Sequence, residues 1–161
     1  MKLTSNQDIS APADQVFRIL SDHQAWMRAA IRRGAEVERL DNLPTMTPGM
    51  EWRATFAFRG RRREALIRLE ACVPPARLGF SVETSLYAGT LGIDIFQMSP
   101  RRSRIHLAIE VKPKTLAARL MLQSLRLARA RLERRLDHRT AQLAAEVENR
   151  LRLAQGSTAE G

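Results

Sequence analysis

Residues able to do chemistry are few in this chain, and they are scattered. There are three histidines, His23, His106 and His138, and a single cysteine, Cys72. Each histidine falls in a different segment, with no second histidine at ligand spacing and no cysteine partner, so a zinc site is not expected. One cysteine closes no internal disulfide and builds no cysteine cluster, which agrees with a reducing compartment. The sequence contains no glycine-rich phosphate loop, nucleophile elbow or H-E-x-x-H motif. Three polar residues remain as candidates for orienting a ligand: Arg63, Asp94 and His106. An inward arginine offers a fixed fork of donors to a carboxylate or phenolate, although at a hairpin end it also curls out to solvent. Asp94 sits between Ile93 and Ile95, and His106 is opposite in phase to Leu107, so the direction of both depends on strand register. No catalytic residue, metal ligand or cofactor is assigned from these residue types.

The elements that must position these groups follow from hydrophobic period. Residues 3–9 alternate as a short first strand, and Pro12 with Asp14 marks a helix start. Val16, Phe17 and Leu20, then Trp26, Met27, Ala30 and Ile31, have helical spacing, with Ser21 and Asp22 capping between two short helices. From Gly34 the period falls to two. Residues 35–40 read as a strand and 41–49 as a turn-rich loop. Residues 50–72 read as a hairpin turning at Gly60-Arg61, with Phe58 facing Arg63, Phe56 facing Ala65, Ala54 facing Ile67 and Trp52 facing Leu69. Further strands follow at Leu78 to Val82, at 90–99, whose inward side is ambiguous, and at 104–111, giving six or seven antiparallel strands.

After Pro113, residues 114–152 read as one long helix. Met121, Leu125, Ala128, Leu132, Leu136, Leu143 and Val147 fall in an arc of about 100°. Leu116, Leu120 and Leu127 form a second stripe, confined to the first half. This predicts a first half buried on two sides, crossing the concave face of the sheet, and a distal half buried on one. At 1.5 Å per residue the helix would be about 58 Å long, beyond a domain of this size. The distal stripe then needs either a kink that folds it back or a partner. With no Pro or Gly to bend the helix, the expectation is a homodimer through residues 130–152.

The segment ISAPADQVFRILSDHQAWMR resembles the opening of the START-like superfamily, the polyketide cyclase/dehydrase and lipid-transport group (SRPBCC). The matching positions are Ile9, Ser10, Ala11, Pro12, Phe17 and Asp22, followed by Trp26. The resemblance spans residues 2 to about 135. It implies an α+β helix-grip fold, a curved antiparallel sheet with two short helices and a long C-terminal helix. It also implies an apolar pocket between sheet and final helix, walled by Trp52, Phe56, Phe58, Ile67, Leu69, Phe80 and Leu107 from the strands. Met121 and Leu125 from the last helix would complete it, with Trp26 near a mouth and Arg63 on the same inward face. Each of these, taken singly, also reads as an ordinary core residue.

Length and charge narrow the function. The chain of 161 residues, 44% apolar, is sized for one domain with one core: residues 1–152, followed by a flexible polar tail at 153–161. No apolar run is long enough to span a bilayer, and the polar N-terminus is unlike a secretory signal, so a cytoplasmic protein is expected. The net charge of +10 is concentrated in residues 101–161, with 14 basic against 6 acidic side chains. Nucleic acid or an anionic membrane is therefore a candidate partner. It is not favoured, because the arginines of the last helix spread around its circumference and no aromatic residue interleaves them. The leading expectation is noncatalytic binding or transport of a hydrophobic small molecule or lipid. The alternatives are a polyketide or aromatic cyclase, dehydratase or hydrolase in the same pocket, or a protein-interaction module or electrostatic nucleic-acid binder.

Overall fold

The computed structural model describes the backbone of residues 1–159 and the side chains of residues 1–157. The chain begins with β1 (Lys2–Ile9), then α1 (Ala13–Leu20) and α2 (His23–Arg32), then β2 (Glu36–Arg39) and β3 (Glu51–Phe58). It continues through β4 (Arg61–Val73), β5 (Arg77–Glu83), β6 (Tyr87–Ser99) and β7 (Arg102–Pro113), and ends with α3 (Leu116–Arg126) and α4 (Arg129–Ala159). The seven strands form one antiparallel sheet in the order β1-β7-β6-β5-β4-β3-β2. Among the described residues, no helix is long and apolar enough to cross a membrane.

Local chemistry explains the element ends. Asp22 caps α2 by accepting from the Ala25 amide at 3.1 Å, and Thr115 caps α3 by accepting from Ala118 at 3.1 Å. The β3–β4 turn differs from its expected form. Its central residues are Arg59 and Gly60, with φ of 51° and 72°, which suits a type I′ turn. Phe58 consequently pairs with Arg61, Phe56 with Arg63, Ala54 with Ala65 and Trp52 with Ile67. The pairing is displaced by two residues from the expected one. Because strand side chains alternate, a two-residue slip leaves every side chain on its face.

One side of the sheet is dry. Ile9, Trp52, Leu69, Leu78, Ile93, Ile95, Ile105 and Leu107 are buried there with Val16, Phe17 and Leu20 of α1. The ambiguous strand β6 thus turns Ile93 and Ile95 inward, leaving Phe96 and Met98 about half exposed.

The closing helix departs most from expectation. It breaks at Leu127–Ala128, where Leu127 N–H donates to Ser124 O at 3.2 Å and Ala128 N–H to Leu125 O at 3.0 Å, a tight three-residue pattern. Just before the break, the Ser124 hydroxyl donates to the Met121 carbonyl at 2.8 Å, the kind of side-chain competition that bends helices. Burial on either side of the break is the reverse of the expected order. In α3 only Ala118 and Leu122 are buried, while Leu116, Leu120 and the C-cap residue Leu127 are exposed. In α4, Thr140, Ala144, Val147 and Leu151 are buried.

The distal stripe is therefore covered within its own chain, against β1, α1 and the sheet core, and the argument for a homodimer through residues 130–152 falls away. Polar clasps hold α4 there. Ser5 Oγ donates to Asp137 at 2.6 Å, Ser10 N–H to Glu148 at 2.9 Å and Arg129 to Lys2 O at 3.1 Å. Helix also continues through Ala159, where a tail from 153 was expected; residues 160 and 161 of that tail lie outside the described residues.

Candidate functional site

Two cavities lie along the dry side of the sheet. The smaller, about 320 Å³, is lined by Leu20 of α1, by His23, Trp26, Met27 and Ala30 of α2, and by Ala35, Val37 and Met46. Trp52 and Ala54 of β3, Ile67 of β4, Phe80 of β5, Ile93 of β6 and Leu143 of α4 complete it. The larger, about 910 Å³, lies between α3 and the strand ends around the β3–β4 turn. Phe56, Phe58, Arg63 and Tyr87 line it from the sheet, Met121, Leu122 and Leu125 from α3, and Leu132 from α4. Both volumes lie in the range of small-molecule pockets, about 300–1,000 Å³. The alternating residues of β3 pass from one cavity to the other, Trp52 and Ala54 in the smaller and Phe56 and Phe58 in the larger.

The smaller wall has few polar atoms. Arg39 Nη1 approaches His23 Nε2 at 3.2 Å. A guanidinium can only donate, so Nε2 accepts and the imidazole is neutral with its proton on Nδ1. Burial, then the Arg39 charge, lowers the pKa of His23 below its ordinary value. The His23 ring leans on Trp52 at 6.2 Å between centroids. Arg39 is held in turn by Asp41 at 2.6 Å. That arginine, together with the Glu51 and Leu43 amides, holds the Asp41 carboxyl far below the usual carboxylate range. At the other side, the Arg150 guanidinium lies 4.0 Å from the Trp26 ring centroid, a cation–π contact that ties α4 to α2. The Trp52 indole Nε1 is buried without a hydrogen-bond partner.

The charged residues lining the larger cavity are Arg59, Arg62, Arg63, Glu64, Glu83 and Lys114, and among them Arg63 has a buried atom without a hydrogen-bond partner. It stands opposite Phe56 on the inward face, its Nε is buried without a hydrogen-bond partner, and no acidic side chain pairs with it among the described residues. Its neighbour Arg62 also borders this cavity, with its guanidinium donating to Glu36.

No family model matches the sequence, and no curated protein matches it. Solved structures do. The Zhui aromatase/cyclase of a Streptomyces species superposes with a TM-score of 0.69 at 18% identity, over 96% of this chain and 97% of that one. Protein TTHA0849 of Thermus thermophilus gives 0.66 at 14% identity, over 91% and 97%. A START superfamily protein of Mycobacterium smegmatis gives 0.56 at 12% identity, over 85% and 97%. The chain has the helix-grip fold of the START-like superfamily.

Within this helix-grip frame, the residues singled out from sequence fall into four places. Trp26, Trp52, Ile67 and Phe80 line the smaller cavity. Phe56, Phe58, Arg63, Met121 and Leu125 line the larger. Leu69 and Leu107 are core residues, buried and lining neither. Asp94 and His106 are corrected: neither is a pocket group. They pair with each other on the outer face of β6 and β7, where Asp94 binds Arg77 at 2.6 Å and His106 Nδ1 lies 2.7 Å from Asn6 Oδ1.

His23, Met27, Ala30, Val37, Met46 and Leu143 were missed as lining residues. The helical spacing of Trp26, Met27 and Ala30 carried a signal for α2. Met46, in an irregular loop, carried none. Leu143 was hidden by the unrecognised break at Leu127–Ala128. Among the described residues, no group of three His, Cys, Asp or Glu side chains is placed to hold a metal ion.

Proposed function

We propose that this chain is a noncatalytic binding protein for a hydrophobic small molecule carrying an anionic or strongly polar head. The apolar body occupies the inner side of the sheet, and Arg63 receives the head. The observation that carries this reading is the wall of the smaller cavity: of its fourteen lining residues, only His23 is ionisable, and its Nε2 is already engaged by Arg39. A general acid or base has to reach a reacting atom, and this imidazole cannot take a proton at Nε2 without losing Arg39. Apolar walls with one or two polar groups suit retention of a ligand.

Titration with the neutral probe N-phenyl-1-naphthylamine tests the reading, together with native mass spectrometry of freshly purified protein. Saturable binding at one or two sites per chain, and a retained mass lost on denaturation, are expected. Fluorescence that rises linearly without saturation, with only the bare chain mass observed, would refute it.

A further inference from the structure

We infer that helix α3 and the tip of the β3–β4 hairpin form a docking surface for an anionic lipid bilayer. The break at Leu127–Ala128 creates this surface by letting α3 leave the core that α4 occupies. Leu116, Leu120 and Leu127 are 71%, 59% and 92% exposed. At about 100° per residue they fall within roughly 40° of one another, opposite the buried Ala118 and Leu122. They form one outward apolar ridge that none of the described residues covers.

Charge selects the occupant. Between Glu110 and Glu133 the chain has no acidic residue and six basic ones. Lys112, Lys114 and Arg129 are partly matched by Glu110, Glu83 and Glu133. Arg119, Arg126 and Arg131 have no ion-pair partner among the described residues. Arg119 and Arg126 lie about 80–100° to one side of the leucine ridge, placed to hold their guanidinium groups at phosphate level while the leucines enter the acyl boundary. The hairpin tip repeats the pattern: Phe58 is 52% exposed, with the Arg59 guanidinium 5.4 Å from its ring centroid and Arg61 beside it.

The two apolar-basic elements are lips of the same opening. Phe58, Arg59 and Arg62 line the larger cavity from one side, Lys114, Met121 and Leu125 from the other. A second copy of this chain is a poor occupant, because it would press like-charged surfaces together around the leucines. A nucleic acid would use the arginines but leave the ridge in water. A bilayer with anionic headgroups satisfies both features, and this inference stands independently of what the cavities hold.

Vesicle co-sedimentation tests it, comparing phosphatidylcholine alone with an equal mixture of phosphatidylcholine and phosphatidylglycerol. The full chain is expected to sediment with the mixed vesicles, to stay in solution with phosphatidylcholine, and to be released as salt rises. The double variant Leu120→Gln, Leu127→Gln keeps the net charge and alters only exposed positions. It should lose about tenfold or more in partitioning while retaining vesicle-free binding of N-phenyl-1-naphthylamine, which separates this test from that of the cavities. Three results would each overturn the inference. One is wild-type protein that ignores mixed vesicles. The second is a double variant that binds them as well as wild type, which would mean adsorption by net charge alone. The third is a concentration-dependent dimer, or DNA-duplex binding, that the same double variant abolishes, which would give the ridge to another occupant.

Discussion

Arg39 donates a hydrogen bond to His23 Nε2 at 3.2 Å, and this contact fixes the protonation state of the one ionisable side chain on the smaller cavity wall. Burial comes first and the Arg39 charge second in lowering the His23 pKa. A depressed histidine favours the folded state fully above the unfolded-chain value of about 6.5, and this contribution declines as pH falls below that value toward the lower folded midpoint. Proton NMR titration of the His23 ring should give a midpoint below 6.5, and Arg39→Met should raise it. A wild-type midpoint at or above the ordinary value would contradict the burial of His23 against Arg39.

The inverted burial of α3 and α4 has an energetic consequence. Leu151, 5% exposed in α4, closes the core beside Val147, whereas Leu127 is 92% exposed. Leu151→Ala should destabilise the fold by about 2–5 kcal/mol. Leu127→Ala should change stability by no more than about 0.5 kcal/mol. Urea unfolding midpoints measure both. Equal costs at the two sites would mean that α4 does not cover the core as described.

Arg63 should discriminate by head group. Arg63→Gln keeps a polar side chain but removes the charge, so affinity for a medium-chain fatty acid should fall about tenfold or more, the range of a charge-assisted hydrogen bond. Affinity for the corresponding methyl ester should be nearly unchanged. Isothermal titration of both ligands against both proteins reads the difference. A parallel loss for acid and ester would reduce Arg63 to a packing role.

The fold was legible in the sequence wherever a single period ran unbroken. The alternation of Trp52, Ala54, Phe56 and Phe58 put these residues on one inward face, and that assignment survived a turn displaced to Arg59-Gly60 because a two-residue slip preserves faces. Direction along β6 was not legible, since apolar residues occupy both faces of that strand; only pairing with β7 shows Ile93 and Ile95 inward and Asp94 outward. The break in the closing helix lacked a Pro or Gly signal. It rests on a side-chain bond from Ser124 and on the burial available to α4, and burial is a property of the assembled fold. For the same reason Leu116 and Leu120 of α3 and Leu127 just past its end, read as core from their spacing, are among the most exposed apolar residues of the chain's described part. The site was half legible: Trp52 and Phe56 follow from alternation, but Met46 and Leu143 reach the cavity through a loop and a kink that no local pattern marks.

Whether the inner side of the sheet holds a hydrophobic ligand is read out by Ala54→Trp. Ala54 lines the smaller cavity and faces Ala65 across β3 and β4, so an indole at position 54 fills the space while the neighbouring side is small. N-phenyl-1-naphthylamine binding is measured by fluorescence titration of wild type and variant, with circular dichroism confirming that both are folded. Saturable binding by wild type and a loss of about tenfold or more in the variant are expected, in keeping with the burial of a ring-sized apolar group. Unchanged binding by a folded Ala54→Trp protein would contradict a ligand on the inner side of the sheet.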